Sequence, residues 1–214
     1  MTLTHQKLFL FFIFLCLFTL GVDSLFGQTR LEVKSNSIID KKLMKWMPDS
    51  DQKDSVTAIR NLNKLTATLF DEGYLAASVD SIFGNKDTLY AWLSTGVEYQ
   101  WMNLKNGNID EGLLTEAGFR EKLYDNKPIK PSSISKLNQK ILGYCENRGY
   151  PFASLQYKDF SFTDNLVSAN LFLDTERKIT VDSVIVRGGS KLSKTYLYNY
   201  LSIKPGDLYN ESII

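Results

Sequence analysis

The stretch LNQKILGYCENRGYPFASLQY (residues 137–157) places apolar residues at helical spacing, then a glycine, a tyrosine and an alternating segment typical of a strand. A similar stretch, LNKLTATLFDEGYLAASV, occurs at residues 62–79. Gly73-Tyr74 of the first copy corresponds to Gly149-Tyr150 of the second, 76 residues later. Because the spacing holds across a helix-to-strand junction, the sequence predicts a tandem array of small modules instead of one enzyme domain.

The first predicted cycle has a strand, a short helix, a long helix and two hairpin strands. Alternation of apolar and polar residues predicts the strands, and apolar residues three or four apart predict the helices. The long helix is expected to begin at Asp54 or Ser55, which are both good N-caps, and to end at Gly73. In chain order these elements are predicted at residues 30–35, 38–46, 54–73, 75–83 and 88–95, with a turn at 48–51.

The second cycle repeats this order. Its second helix is expected to have Ser132 or Ser133 as N-cap and to end at Gly149. Its elements are predicted at residues 98–104, 109–123, 132–149, 152–162 and 166–173. A third cycle is predicted to have a strand, a helix and the start of another helix, at residues 179–186, 192–201 and 209–214. Each complete cycle is therefore β-α-α-β-β.

The charge balance does not favour a nucleic-acid partner. The chain of 214 residues carries 25 Lys and Arg against 24 Asp and Glu. A nucleic-acid-binding surface normally shows an excess of basic residues, which this total does not provide. The hydrophobic share of 43% is ordinary for a globular protein, and the length allows two or three modules.

The first 27 residues have the pattern of a secretory signal peptide. Lys7 precedes an unbroken apolar run over residues 8–22, and small or polar residues follow up to Gly27. The run is shorter than the roughly 20 residues that a membrane-spanning helix needs. We therefore expect cleavage near Gly27 and export of the mature chain, with an uncleaved anchor as the alternative.

Few residues could support catalysis or metal binding. His5 is the only histidine and lies in the predicted signal peptide, so the mature chain would lack the most common general base and metal ligand. Cys145 is the only cysteine beyond that segment, and its place on an apolar helix face predicts a buried thiol. Gly188-Gly189 lacks the Gly-Lys-Ser/Thr ending of a phosphate-binding loop. We expect no catalytic residues, no cofactor and no metal.

The order of elements, together with the C-terminal motifs, resembles the POTRA repeat, the periplasmic module of BamA-like outer-membrane assembly and translocation proteins. The motifs are VDSVIVRGGSKLSKTYL (residues 181–197) and LSIKPGDLYNESII (residues 201–214). In that family a glycine turn and a later Ser and Leu follow the first strand, and a Lys-x-Gly-Asp-x-Tyr turn precedes the second helix. The matching residues here are Gly188 or Gly189, Ser193, Leu197, Lys204, Gly206, Asp207 and Tyr209.

The resemblance implies an α+β fold of tandem β-α-α-β-β modules, each a three-stranded mixed sheet with two helices on one face. The expected divisions are the signal peptide, a divergent first module, a second module and an incomplete third, at residues 1–27, 29–96, 97–175 and 178–214. The sequence is expected to be a fragment or a stand-alone periplasmic piece, because the third module lacks its hairpin. In the family such modules attach to the outer membrane through a C-terminal β-barrel, of which this sequence carries no strands.

The implied function is polypeptide binding by strand addition at an open sheet edge on the periplasmic face of the outer membrane. In the family the edge is the second strand of a module, which corresponds here to residues 75–83 and 152–160. The candidate contact residues in the second of these are Phe152, Ser154, Leu155, Gln156 and Tyr157. The implied partners are unfolded outer-membrane protein clients and accessory assembly lipoproteins. The alternatives are a receptor for one dedicated secretion substrate, and an unrecognised periplasmic enzyme.

Overall fold

The computed structural model describes residues 28–35, 41–85, 87–189 and 192–213. The chain divides into two compact units. Unit 1 comprises the described residues up to Leu69 together with Ala76–Gly96, and unit 2 comprises Phe70–Leu75 and the described residues from Val97 onward. The predicted signal peptide lies outside the described residues, and the division into three modules stays a prediction.

Unit 1 is built around a sheet of four strands in the order β2-β1-β4-β3. Strand β1 runs parallel to β4, whereas β3 pairs with β4 and β2 pairs with β1 in antiparallel fashion. The buried core contains Leu31, Ala58, Leu62, Leu89 and Ala91. The elements from the N-terminus to the end of this unit are β1 (Thr29–Ser35), α1 (Lys41–Met44), β2 (Asp51–Gln52), α2 (Ser55–Asp71), β3 (Ser78–Gly84) and β4 (Thr88–Ser94).

Unit 2 contains a three-stranded sheet in the order β5-β7-β6, with β5 parallel to β7 and β6 antiparallel to it. Every second side chain of β7 is buried, from Val167 to Leu173, because successive residues of a strand point to opposite faces. The elements are β5 (Gln100–Lys105), α3 (Glu111–Ala117), a 3₁₀ turn (Glu121–Leu123), α4 (Pro131–Glu146), β6 (Ser154–Thr163), β7 (Leu166–Asp174) and α5 (Lys194–Leu201).

The predicted α+β class is confirmed, and the two sheets have the predicted mixture of one parallel and one antiparallel pairing around the hairpin. The sheet of unit 1 has one more strand than predicted, because Asp51 and Gln52 extend it where a turn followed by the long helix was expected. Asp54 caps the long helix as predicted, since its Oδ1 accepts a hydrogen bond of 2.6 Å from the Thr57 amide. In the predicted first helix, residues 38–40 lie outside the described residues.

Two helix predictions in unit 2 are wrong in detail. The single helix expected over residues 109–123 ends at Ala117, where Gly118 adopts a left-handed φ of 77° and its N–H bonds back to Leu114 and Thr115. Helix α4 begins at Pro131 instead of after a serine cap, because proline is already suited to the first helical position. Ser132 therefore lies inside the helix.

The segment from residue 178 onward forms less regular structure than predicted. In the described part, the expected strand over residues 179–186 is reduced to one bridge between Thr180 and Leu208. The helix predicted over residues 192–201 is present as α5, and Ser193 caps it by accepting a hydrogen bond of 3.2 Å from the Tyr196 amide. The expected helix from Tyr209 is a turn instead.

Helix α4 offers a matched pair of substitutions that test this core. Ile141 is 0% exposed in the core of unit 2, so Ile141→Ala should lower the free energy of unfolding by about 2–5 kcal/mol through a cavity. Gly143 lies two residues away with no atom within 4 Å of an added Cβ, so Gly143→Ala should raise it by about 0.5–1 kcal/mol. Chemical denaturation measures both, and shifts of the same sign would contradict this packing.

Candidate protein-binding edge

Strand β6 lies at one edge of the sheet in unit 2. In the part of the chain that the structure describes, β7 is its only strand partner, so its other side is left without a neighbouring strand. At ten residues it is the longest strand described. Strand β3 has the corresponding position in the sheet of unit 1. An edge of this kind presents backbone N–H and C=O groups that can pair with an added strand.

One face of β6 is held by the core. Leu155 and Tyr157 pack, partly buried, against the hydrophobic cluster of unit 2. The Tyr157 hydroxyl donates a hydrogen bond of 2.7 Å to Oδ1 of Asn138 on α4, and burial raises the pKa of this phenol well above its usual value. These contacts fix the strand as a rigid template and leave its outer backbone open.

The side chains of Gln156 and of every residue of β6 from Lys158 onward are exposed. Gln156 and Lys158 point to the face that carries no buried core, and the Lys158 ammonium lies 3.3 Å from the ring centroid of Phe172. Phe160 and Phe162 stack on each other with centroids 6.2 Å apart, although they are 53% and 66% exposed. An edge strand with two exposed aromatic rings is unusual, since natural edges are commonly protected by charges.

A β-bulge interrupts the pairing of both β6 and β3. In β6 the register shifts between Lys158 and Ser161, and Asp159 has a left-handed φ of 54°. Asn170 on β7 donates a hydrogen bond of 2.8 Å to the Asp159 carboxylate. In β3 the shift lies between Val79 and Ser81. A bulge bends the strand and breaks the ladder locally.

Four of the five candidate edge residues lie in the edge strand. Ser154, Leu155, Gln156 and Tyr157 all lie in β6. Phe152 lies outside the strand, in the turn that follows Pro151, and is 54% exposed. Because residues alternate from Ala153 onward, the sequence predicted a strand that begins at Phe152. The pairing with β7 begins two residues later, at Ser154. The candidate edge in the first cycle likewise begins at Ser78, later than predicted. Whether these residues bind a partner stays a prediction.

The repeated glycines occupy crowded backbone corners of unit 2. Gly149 has a φ of 92°, accepts a hydrogen bond of 2.7 Å from the Ile179 amide, and leaves only 3.2 Å between an added Cβ and the Ile179 oxygen. Gly73 repeats this arrangement with a φ of 98° and Tyr99 as its partner, at 2.8 Å and 3.0 Å. Both positions therefore require glycine for conformation and for space.

A second repeated contact near these glycines was not predicted. The carboxylate of Asp71 accepts hydrogen bonds of 2.8 Å from both the amide and the hydroxyl of Ser132. Asn147 accepts a bond of 3.0 Å from the Ser212 amide. Asp71 and Asn147 each lie two residues before the repeated glycine, so an alignment of the two copies could have revealed this pair.

The repeated tyrosines are packing residues. Tyr74 is 8% exposed, and Tyr150 packs, partly buried, against the core of unit 2. The Lys178 ammonium lies 5.7 Å from the Tyr150 ring centroid. These surroundings leave neither ring flat against solvent as a ligand platform would be.

The C-terminal motif residues form a turn held by backbone bonds. The Gly206 amide bonds to the Val181 oxygen at 2.8 Å, and the Asp207 carboxylate accepts a bond of 2.6 Å from the Lys204 amide. The Tyr209 amide bonds to the Ile179 oxygen at 3.0 Å. Gly188 has a φ of 102°, with open space around it. These residues therefore have structural roles.

Little in the described residues could carry covalent or metal chemistry. Cys145 is buried, and burial raises the pKa of its thiol, which lowers its reactivity at neutral pH. No group of three or more His, Cys, Asp or Glu side chains in the described ranges could hold a metal ion. None of the helices in those ranges is long and apolar enough to cross a membrane.

No protein-family model and no curated protein matches this sequence. Solved structures do match. POTRA domains 3–5 of Haemophilus influenzae BamA give a TM-score of 0.53 at 18% identity, over 87% of this chain and 82% of that one. BamA of Haemophilus ducreyi lacking POTRA domains 1–3 gives 0.47 at 12% identity, over 69% of this chain and 29% of that one. The N-terminal domain of Omp85 from Thermosynechococcus elongatus gives 0.38 at 11% identity, over 86% and 80%.

The H. influenzae comparison shows that the chain shares the fold of tandem POTRA domains. The resemblance seen in the sequence is thereby confirmed for the fold. At 18% identity the likeness extends no further than the fold.

Alanine substitutions at two glycines with similar φ distinguish the cost of backbone strain from the cost of steric crowding. Gly149→Ala should lower the free energy of unfolding by more than about 1 kcal/mol, because the added Cβ is both strained and crowded by Ile179. Gly188→Ala has a comparable φ but open space, so its cost should be smaller. Denaturation curves compare the two, and faster amide exchange at Ile179 should accompany only Gly149→Ala. Equal costs would show that the contact at Gly149 is unimportant.

The Asp71–Ser132 contact predicts a pH dependence. The hydrogen bonds from the Ser132 side chain and amide hold the pKa of Asp71 below its ordinary value. A lowered folded-state pKa stabilises the fold above the unfolded pKa, and this contribution is lost as pH falls through the folded value. The stability difference between the native chain and Asp71→Asn should therefore shrink from pH 7 to pH 3. A difference that does not change with pH would contradict the prediction.

Proposed function

We propose that this chain is a periplasmic, non-enzymatic polypeptide-binding part of an outer-membrane protein assembly factor, and that it binds extended client segments by strand addition at β6. The single observation that carries the proposal is the open outer side of a ten-residue strand whose inner side is fixed by the core. The POTRA fold supports the same proposal by analogy, because the structure that matches with a TM-score of 0.53 is of BamA POTRA domains.

Backbone pairing suits a client class with many different sequences. The N–H and C=O groups of an edge strand can bond to any extended segment, so the main affinity does not depend on the client's side chains. Side chains then add a preference, because every second residue of the client would lie on the same face as Leu155 and Tyr157. Those two residues are only partly buried and could gain apolar contacts.

The preferred client segment is therefore one that alternates apolar and polar residues. Its apolar side would extend the core beside Leu155 and Tyr157, and its polar side would lie with Gln156 and Lys158. Strands of outer-membrane proteins alternate in this way, with one side apolar. The chemistry of the edge thus favours unfolded outer-membrane protein segments as clients.

Site-specific crosslinking tests the edge directly. A photo-reactive phenylalanine analogue at exposed Gln156 should crosslink to an unfolded outer-membrane protein supplied to the purified chain, because the side chain borders the added strand. Tyr157 is a poorer position, since its hydroxyl bonds to Asn138 and its loss would disturb the core. The same analogue at exposed Glu116 on α3 is the matched control and should give little product.

Two results would change the conclusion. Equal crosslinking at Gln156 and Glu116 would show that the client does not use this edge. Crosslinking at Gln156 to one exported substrate, but not to a set of unrelated outer-membrane proteins, would favour a dedicated secretion receptor instead. Mass spectrometry of the crosslinked products distinguishes these results.

A further inference from the structure

We infer that the Asp159 bulge limits strand addition to the five residues Ser154–Lys158 and prevents the edge from pairing with a second copy of the chain. The inference rests on the proposed function for its client, an extended polypeptide segment. It goes further by assigning the length of the bound segment and by giving one residue a role in specificity. Both roles follow from the register in which β6 pairs with β7.

The register shows that β6 contains one residue more than its partner. Lys158 is opposite Asn170 and Ser161 is opposite Ser168, so two residues of β6 face Ala169 alone. Phe162 lies opposite the buried Val167, which places it on the core side of the sheet. Without Asp159, the sequence from Lys158 to Phe162 would alternate regularly between the two faces. Asp159 is therefore the inserted residue, and its left-handed φ of 54° forms the bulge.

The bulge also interrupts the outer side of the strand. In a regular strand the outward N–H and C=O groups occur at every second residue, and an added strand bonds to each of them in turn. An extra residue shifts that alternation and bends the strand, so a straight partner cannot continue across it. The uninterrupted part of the β6 edge before the bulge is Ser154–Lys158, whereas only Ser161–Thr163 follows it.

The inserted residue is an aspartate in both of the first hairpin strands, β3 and β6. In β3 the register shift leaves Asp80 as the extra residue, and the Ser78 hydroxyl lies 2.6 Å from its carboxylate. Asp159 is held by Asn170. The two bulges occupy different places in their strands, so they do not follow from the repeat of 76 residues. Both aspartates are exposed, and an exposed charge at an edge opposes pairing with another edge.

The exposed phenylalanines make such protection necessary. Phe160 and Phe162 lie beside and beyond the bulge, where a continuous edge would offer backbone groups together with apolar side chains. That combination is typical of an aggregation-prone edge. The bulge separates the two features, because it ends regular pairing before the aromatic rings are reached. The edge can then bind a short client segment without joining two copies of the chain.

Deletion of Asp159 is the decisive change, and Asp159→Gly is its control. The deletion should restore one continuous edge, whereas glycine keeps the left-handed φ and removes the charge together with the hydrogen bond from Asn170. The probes are fluorescent peptides of alternating valine and threonine, five and nine residues long, with a lysine at each end. Fluorescence anisotropy measures their binding to the full chain, and sedimentation velocity measures its oligomeric state.

The native chain should bind the two peptides with affinities within about twofold of each other, because the additional residues find no regular partners. The deletion variant should bind the longer peptide about tenfold more tightly and the shorter one as before, since added backbone bonds contribute only to the longer complex. It should also dimerise, while the native chain and Asp159→Gly stay monomeric. Binding of the peptide to the native chain should slow amide exchange further in Ser154–Lys158 and leave exchange in Ser161–Thr163, which already pair with β7, unchanged.

The two proposals fail in different ways. If neither peptide binds the native chain, the proposed function fails, and sedimentation of the deletion variant still decides the role of the bulge. If the native chain already binds the longer peptide tenfold more tightly, or if the peptide adds protection at Ser161–Thr163, the inference is wrong. If the deletion disrupts the hairpin, the two peptide affinities and the amide exchange of the native chain still decide the inference.

Discussion

In each unit, the first strand of the sheet pairs in parallel with the second strand of the hairpin. This parallel pairing determines which of the two hairpin strands lies at the edge of the sheet. Strand β1 pairs with β4 in this way, and β5 pairs with β7. The second hairpin strand therefore has a neighbour on both sides, and the first hairpin strand can only be at the edge. In both cycles the chain passes from the second helix through the Gly-Tyr corner into the first hairpin strand, which is the edge strand.

This topology also explains why an edge strand can be both stable and open. The central strand β7 buries every second side chain, and β6 shares that core through Leu155 and Tyr157. The strand is thus held along one side and one face, whereas no described strand pairs with its outer backbone. A bulge at Asp159 can be tolerated there, because β7 stays regular and only the edge strand bends. The same bulge in a central strand would disturb two ladders.

The sequence predicted the elements with strong periodicity and missed those that depend on backbone detail. Helix α2 and the hairpins were evident from apolar spacing, and Asp54 was evident as a cap. The break at Gly118 was missed, because a glycine between two apolar stretches is compatible with both a continuous and an interrupted helix. The register shift at Asp159 could not be read from residue types, since it depends on which residues of β7 lie opposite. Four of the five candidate edge residues lie in β6, whereas Phe152 lies in the turn before it.

The positions that repeat most clearly are those at which the backbone restricts residue choice. Gly73 and Gly149 combine a left-handed φ with a carbonyl oxygen close to the missing side chain, so only glycine is suitable. The edge strands SVDSIFG and SLQYKDFSFT, in contrast, share little sequence. An edge that binds through N–H and C=O groups needs extended backbone and a point at which pairing stops, and many sequences satisfy both. The repeat signal therefore identifies the corner that positions the edge strand, whereas the strand's own sequence can vary without loss of the proposed mode of binding.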